Sequence, residues 1–138
     1  MTVVDSSGIV DFLLGIGVAR RVEMLLEQEG ELAAPDLLVF EVLAVLRREA
    51  ARELGDARAS GAVRDLGDVA LALFPSLALR ERAWALRRNF TIADAIFVAL
   101  AEQLEEPLVT KDVSLARAAV KHAQAEVVVL SASDEPDR

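Results

Sequence analysis

The sequence predicts a three-layer α/β/α domain around a central, mainly parallel five-stranded sheet. Short apolar runs alternate with longer segments of helical periodicity along the whole chain. Turn or charged residues flank those runs, as they flank strands buried on both faces of a parallel sheet. Of the 138 residues, 54% are hydrophobic and only 4% aromatic, so the core is built from Leu, Val, Ile and Ala. Such side chains suit interleaved helices and parallel strands.

The first strand is read at residues 2–4 and is followed by helices at 7–14 and 18–29. A second strand at 32–34 leads into a helix from 36 to about 54 and another at 57–65. The third strand, at 69–73, precedes helices at 76–88 and 91–104. The fourth, at 108–110, precedes a helix at 113–122, where the one histidine, His122, favours the helix dipole at the C-terminal end. A fifth strand is read at 127–130. Strand, helices, strand, repeated, gives a layered α/β domain, and the length fits one such unit over residues 1–130, with 131–138 as a frayed polar tail. Ligands of such sheets bind at the carboxyl ends of strands, which directs attention to the residues after Val4, Leu73 and Val109.

Several function classes fall away. With no Cys and one His, disulfides, zinc–thiolate sites, cysteine nucleophiles and His-rich metal sites are excluded. Gly15-Ile16-Gly17 follows a helix and has Arg20 where a third Gly belongs, so it is not a dinucleotide fingerprint. Neither a phosphate loop nor a nucleophile elbow is present. No basic leader precedes an apolar run, and the longest uncharged stretch, 69–79, is too short for a bilayer; a soluble cytoplasmic protein is expected. A net charge of −8 argues against holding nucleic acid by bulk electrostatics, but leaves room for positive charge concentrated locally.

The remaining chemistry lies in carboxylates. Asp5 and Asp112 both end apolar strands at their carboxyl edges, where each can also cap the helix that follows. Asp94, three residues after Thr91, fits a capping box at the margin of the apolar stripe Ala93, Ile96, Phe97, Leu100. Glu41 has Leu37, Leu38 and Val45 as its helical neighbours, an apolar setting in which a carboxylate needs a cation or a strong donor. If the first and fourth strands are neighbours, Asp5 and Asp112 converge. Four close carboxylates repel unless a cation bridges them, and oxygen-only ligation selects a hard ion such as Mg²⁺ or Mn²⁺. Such an ion holds phosphates and activates water for in-line attack.

With these residues in view the chain resembles PIN-domain ribonucleases, and among them the toxin subunits of VapBC-type toxin–antitoxin pairs. The most specific stretch runs from Arg87-Arg88-Asn89-Phe90-Thr91 through Ile92-Ala93-Asp94-Ala95-Ile96 to Ala101, followed by Pro107-Leu108-Val109-Thr110-Lys111-Asp112. Val3-Val4-Asp5-Ser6-Ser7 and the segment from Ala34 to Val42 complete it. The resemblance implies a PIN-like fold and places the family's four metal-binding acids on Asp5, Glu41, Asp94 and Asp112, with Ser7, Asn89 and Thr110 in support. It further implies an RNA substrate, Mg²⁺ or Mn²⁺ as cofactor, a homodimer, and a small VapB-like antitoxin that blocks the site with a basic side chain. Arg47, Arg48, Arg52, Arg87, Arg88, Lys111 and Arg117 are candidates for local positive charge.

Other acidic folds fit less well. A receiver domain shares the Thr-Lys pair at a strand end, but Val69 to Leu73 runs into Phe74-Pro75-Ser76 with no phosphorylatable Asp. A haloacid-dehalogenase-type phosphatase wants a second acid where Ser7 stands. A non-catalytic PIN-like module would keep the fold and lose one of the four acids, all of which are present.

Overall fold

The computed structural model describes residues 1–132 and contains a single five-stranded sheet, all parallel, in the order β3-β2-β1-β4-β5. The strands are β1 (Val3–Val4), β2 (Leu32–Pro35), β3 (Leu71–Phe74), β4 (Leu108–Thr110) and β5 (Val127–Val129). Between them run α1 (Ser6–Leu14), α2 (Ala19–Glu29), α3 (Leu37–Ala50), α4 (Asp56–Leu66), α5 (Arg80–Ala85), α6 (Ile92–Leu104) and α7 (Val113–His122). This is the layered α/β/α architecture that the alternating pattern predicts. The expectation of a frayed tail falls almost wholly on 133–138, outside the described residues.

β1 lies in the middle of the sheet because its two residues are apolar on both sides. Val3 and Val4 are fully buried, as are Leu32, Ala33 and Leu108 in the flanking strands. The outer strands depart from the expectation of burial on both faces: β3 and β5 are mostly half-exposed, since each has one neighbour and a free edge.

One helical reading also changes. In place of one helix over 76–88 there is a 3₁₀ turn at Ser76–Leu79, then the short α5, then a turn leading to Thr91. Ser76 pins the start, its N–H and hydroxyl both donating to Asp36 Oδ1, at 3.1 and 2.5 Å. Leu79, Ala83, Leu86 and Phe90 are all buried, so the spacing that signals one helix is met equally well by a broken one. The helix expected to reach about 54 ends at Ala50, before Gly55 at φ +81°. No helix among the described residues is long and apolar enough to cross a membrane.

Arg82 ties α5 to α6 by a two-pronged contact with Glu102, Nε at 2.6 Å and Nη2 at 3.0 Å, and Glu102 also accepts the Gln124 N–H at 2.7 Å. These donors, Arg82 first, hold the Glu102 carboxyl below its ordinary value. Because the folded form holds the proton less tightly than the unfolded chain, the contact stabilises fully above about pH 4.5 and is lost as pH falls through the lower, folded value. Arg82 is 43% exposed, so the contribution is about 1 kcal/mol. Glu102→Gln is therefore expected to melt below wild type at pH 7, with a gap that closes on acidification below about pH 4.5; melts across pH check this.

Candidate active site

Parallel pairing of β1 with β4 sets Val4 beside Val109 and carries the ladder one step further, the Asp5 N–H donating to the Val109 carbonyl at 3.2 Å. Asp5 and Thr110 thus leave adjacent strands at the same edge. Thr110, fully buried, donates its hydroxyl to Asp5 Oδ2 at 2.5 Å and accepts the Asp112 N–H at 3.1 Å. One hydroxyl links two of the expected acids.

Asp5 is also the N-cap of α1. Its Oδ1 accepts the Ser7 N–H and hydroxyl, at 3.0 and 2.6 Å, and the Gly8 N–H at 3.3 Å. Asp112 caps α7 in the same manner, its Oδ1 taking the Ser114 N–H and hydroxyl and the Leu115 N–H. These bonds, that of the Ser114 hydroxyl first, hold its carboxyl below the ordinary range. Thr91 caps α6 by accepting the Asp94 N–H at 3.1 Å, which places Asp94 in the first turn. Burial pushes the Asp94 carboxyl up, and the negative charges of Asp112, Asp5 and Glu41 push the same way against hydrogen bonding with Thr91.

Asp112, Asp5 and Glu41 are thus near enough to Asp94 for their charges to bear on it. Glu41, half-buried on α3, finds its donor in Ser6, whose hydroxyl reaches Oε1 at 2.6 Å; among the described residues no ion pair joins it to Arg48 or Arg88. Of the helical neighbours read for Glu41, Leu38 is fully buried and Leu37 and Val45 are half-buried against the core, while Phe40 and Leu43 are exposed on the adjoining side of α3. As the side chains stand, no group of three or more His, Cys, Asp or Glu among the described residues is arranged to hold a metal ion. The acids share an edge and a field, while Asp5, Asp112 and Glu41 each turn to a local hydroxyl. In type the donors, carboxylates and hydroxyls only, fit a hard divalent cation.

Of the supporting residues, Ser7 and Thr110 both contact Asp5, whereas Asn89 is exposed in the turn before α6. Lys111, expected among the local cations, is paired with another acid: its Nζ lies 2.8 Å from Asp11 Oδ2. Sequence reasoning passed over Asp11 and Ser6. Asp11 is 4% exposed and also accepts the Val18 N–H at 3.0 Å, so it fastens the α1–α2 turn and the β4–α7 loop together. The signal for it was an Asp on the apolar helix Ile9-Val10-Asp11-Phe12-Leu13 with Gly15 and Gly17 behind it. Gly17 has φ +52°, and a Cβ there would run into the Asp11 carboxylate.

Known proteins of similar sequence identify the family. The PIN domain signature matches residues 2–121. The chain belongs to the PIN-domain family. This PIN domain is 40% identical over 116 residues to VapC ribonuclease Mb0985 of Mycobacterium bovis, covering 83% of this chain and 88% of that protein. It is 40% identical over 118 residues to ribonuclease VapC1 of Mycobacterium tuberculosis, covering 84% and 89%, and 34% identical over 134 residues to ribonuclease VapC12 of the same species, covering 93% and 99%. It is thus a PIN domain of VapC type. Its fold resembles that of PAE2754 from Pyrobaculum aerophilum, with a TM-score of 0.64 at 23% identity, over 91% of this chain and 86% of that one.

Two outcomes are expected. Above the ordinary Asp value near pH 3.8, ionised Asp94 is held less comfortably in the fold than in the unfolded chain, so its contribution falls as pH rises through its raised value. Asp94→Asn should therefore melt above wild type at neutral pH in chelator, with the gap vanishing below about pH 3.8. Gly17→Ala should cost roughly 1–3 kcal/mol in denaturant melts, from a strained φ and displacement of Asp11.

Proposed function

We propose that this PIN domain is the toxin of a type II toxin–antitoxin pair, an endoribonuclease that hydrolyses RNA phosphodiester bonds with Mg²⁺ or Mn²⁺ at Asp5, Glu41, Asp94 and Asp112. The observation that carries it is the shared field of four acids at the carboxyl end of β1 and β4. The names of the VapC relatives supply the substrate class. In this reading the four carboxylates hold the ion, with Ser7 and Thr110 fixing the orientation of Asp5 and Ser6 that of Glu41. Bound there, the ion supplies neutralisation of phosphate charge and a water acidified for in-line attack. Asp94, its carboxyl raised by burial and by its neighbours, is the acid that gains most from a cation at this edge.

Two surfaces support the partner readings. A depression of about 610 Å³ between α1, α2 and α4 has an apolar floor including Phe12, Leu13, Leu26 and Val69 and a rim of Glu23, Glu27, Asp65 and Asp68. It fits an antitoxin segment carrying both apolar and basic side chains. On α3, Phe40 and Leu43 are exposed beside Arg47 and Arg48, a patch suited to a second copy in a homodimer. Locally held acids, with no three arranged to hold a metal ion, favour a second reading, a non-catalytic PIN-like binding module.

Wild type is expected to cleave RNA with Mg²⁺ or Mn²⁺ and to stop in excess EDTA. Glu41→Gln keeps an acceptor for Ser6 and removes a charge, so it should stay folded and lose cleavage. Mg²⁺ should raise the melting temperature of wild type by binding the folded state, and do so much less in the variant. Undiminished cleavage in chelator would overturn the metal site, and a Mg²⁺-indifferent melt without cleavage would establish the binding module.

A further inference from the structure

Trp84 is the chain's only tryptophan, there is no tyrosine, and the ring stands 62% exposed on α5. Its position is fixed from beneath: Leu79, Ala83, Leu86 and Phe90 are buried along one side of the 76–91 segment. One step out of phase runs a second stripe, Arg80, Trp84, Arg87 and Arg88, which faces water. The Arg87 guanidinium lies 4.4 Å from the ring centroid and also donates to the Trp84 carbonyl at 2.9 Å, so this cation is held against the ring. At the preceding turn Arg80, fixed by a bond to the Leu77 carbonyl at 3.0 Å, lines a shallow depression with Glu81 and Trp84.

The charge of this segment runs against that of the molecule. Residues 77–91 hold four Arg (80, 82, 87, 88) and one acid, Glu81, a local balance of +3 in a chain of −8. Arg82 is engaged by Glu102, whereas Arg80, Arg87 and Arg88 are in no ion pair among the described residues. The segment then enters the Thr91 cap and the first turn of α6, where Asp94 stands, six residues after Arg88.

We infer that the Arg80-Trp84-Arg87-Arg88 stripe is a stacking platform for an unpaired base of single-stranded RNA, holding the strand beside the acidic edge. An aromatic ring beside guanidinium groups is a recurring solution for single strands: with Arg87 held over one face, the ring has its other face for any base, and the arginines take the backbone phosphates. An apolar protein face would have to strip water from three guanidinium groups, a cost RNA offsets with its own charge. Bases of a duplex are stacked on one another and offer no free face to the ring. The choice of RNA rests on the ribonuclease reading; the stacking itself does not.

Trp84 is its own probe. With wild-type protein in EDTA, titration with a short 2′-O-methyl single-stranded RNA of mixed sequence should quench the single tryptophan emission, and salt should weaken the binding. A loop-free duplex of two complementary strands of the same composition should quench far less. Trp84→Ala should weaken single-strand binding about tenfold with the fold intact, and Trp84→Phe should restore most of it. Quenching by single strands in a protein that shows no Mg²⁺-dependent cleavage upholds the platform while the nuclease reading falls. Metal-dependent cleavage with unquenched emission, and with Trp84→Ala binding as wild type does, overturns the platform and leaves the nuclease. A concentration-dependent blue shift without RNA, matched by dimers in sedimentation, assigns the ring to a contact between copies and also overturns it.

Discussion

The site depends on one hydrogen bond across the middle of the sheet, from the buried Thr110 hydroxyl to the Asp5 carboxylate. It exists only because β1 and β4 pair in parallel with Val4 beside Val109, which brings two strand ends out together. Antiparallel pairing would send them to opposite edges. The same hydroxyl accepts the Asp112 N–H, so its direction is set: it gives its proton to Asp5 and its lone pair to the next loop. A slip of one residue in the β1–β4 register would turn the Thr110 side chain to the other face of the sheet and uncouple the acids.

Gathering carboxylates costs free energy, and this fold lowers that cost with helix starts. Asp5 and Asp112 are N-caps, and Asp94 lies in a first turn, positions where the helix dipole and unpaired N–H groups favour negative charge. Capping and site-building are therefore the same act. Asp112, with three donors on one oxygen, has its carboxyl held below the ordinary range, while burial first and its acidic neighbours next push that of Asp94 up. Neighbouring carboxylates pushed apart in acidity are a frequent mark of functional sites.

Much of this was legible in the sequence because it rests on short-range patterns. The run Thr2-Val3-Val4 before Asp5, and Leu108-Val109-Thr110 before Asp112, announce strand ends, and Thr91 to Asp94 announces a helix start. The centrality of β1 follows from the topology of alternating strands and helices, and the strand order β3-β2-β1-β4-β5 has it. What escaped depends on contacts between distant residues. The ion pair of Asp11 and Lys111 spans a hundred positions and has no local signature beyond an acid in an apolar helix. Counting Lys111 as a cation available near the site missed that Asp11 claims it. Ser6, rather than Ser7 alone, matters because the turn after β1 points one hydroxyl at Asp5 and the other at Glu41. The break at 76–88 was hidden because Leu79, Ala83, Leu86 and Phe90 keep a helical spacing across it.

The charge of −8 and a reading that involves RNA are reconciled by where the charges lie. An acidic molecule repels a polyanion at long range, but beyond a Debye length of roughly 8 Å in physiological salt the net charge is largely screened, and what the strand meets is the local surface. Glu23, Glu27, Asp65 and Asp68 rim the depression between α1, α2 and α4, away in sequence from the stripe of Arg80, Arg87 and Arg88 on α5 and the turn after it. On the proposed reading, the acids at the ends of β1 and β4 would repel phosphate until a cation offset them. On that reading, segregating charge in this way would let one small domain present an acidic face to a basic partner and a short basic stripe to a nucleic acid, which a uniformly basic surface could not do.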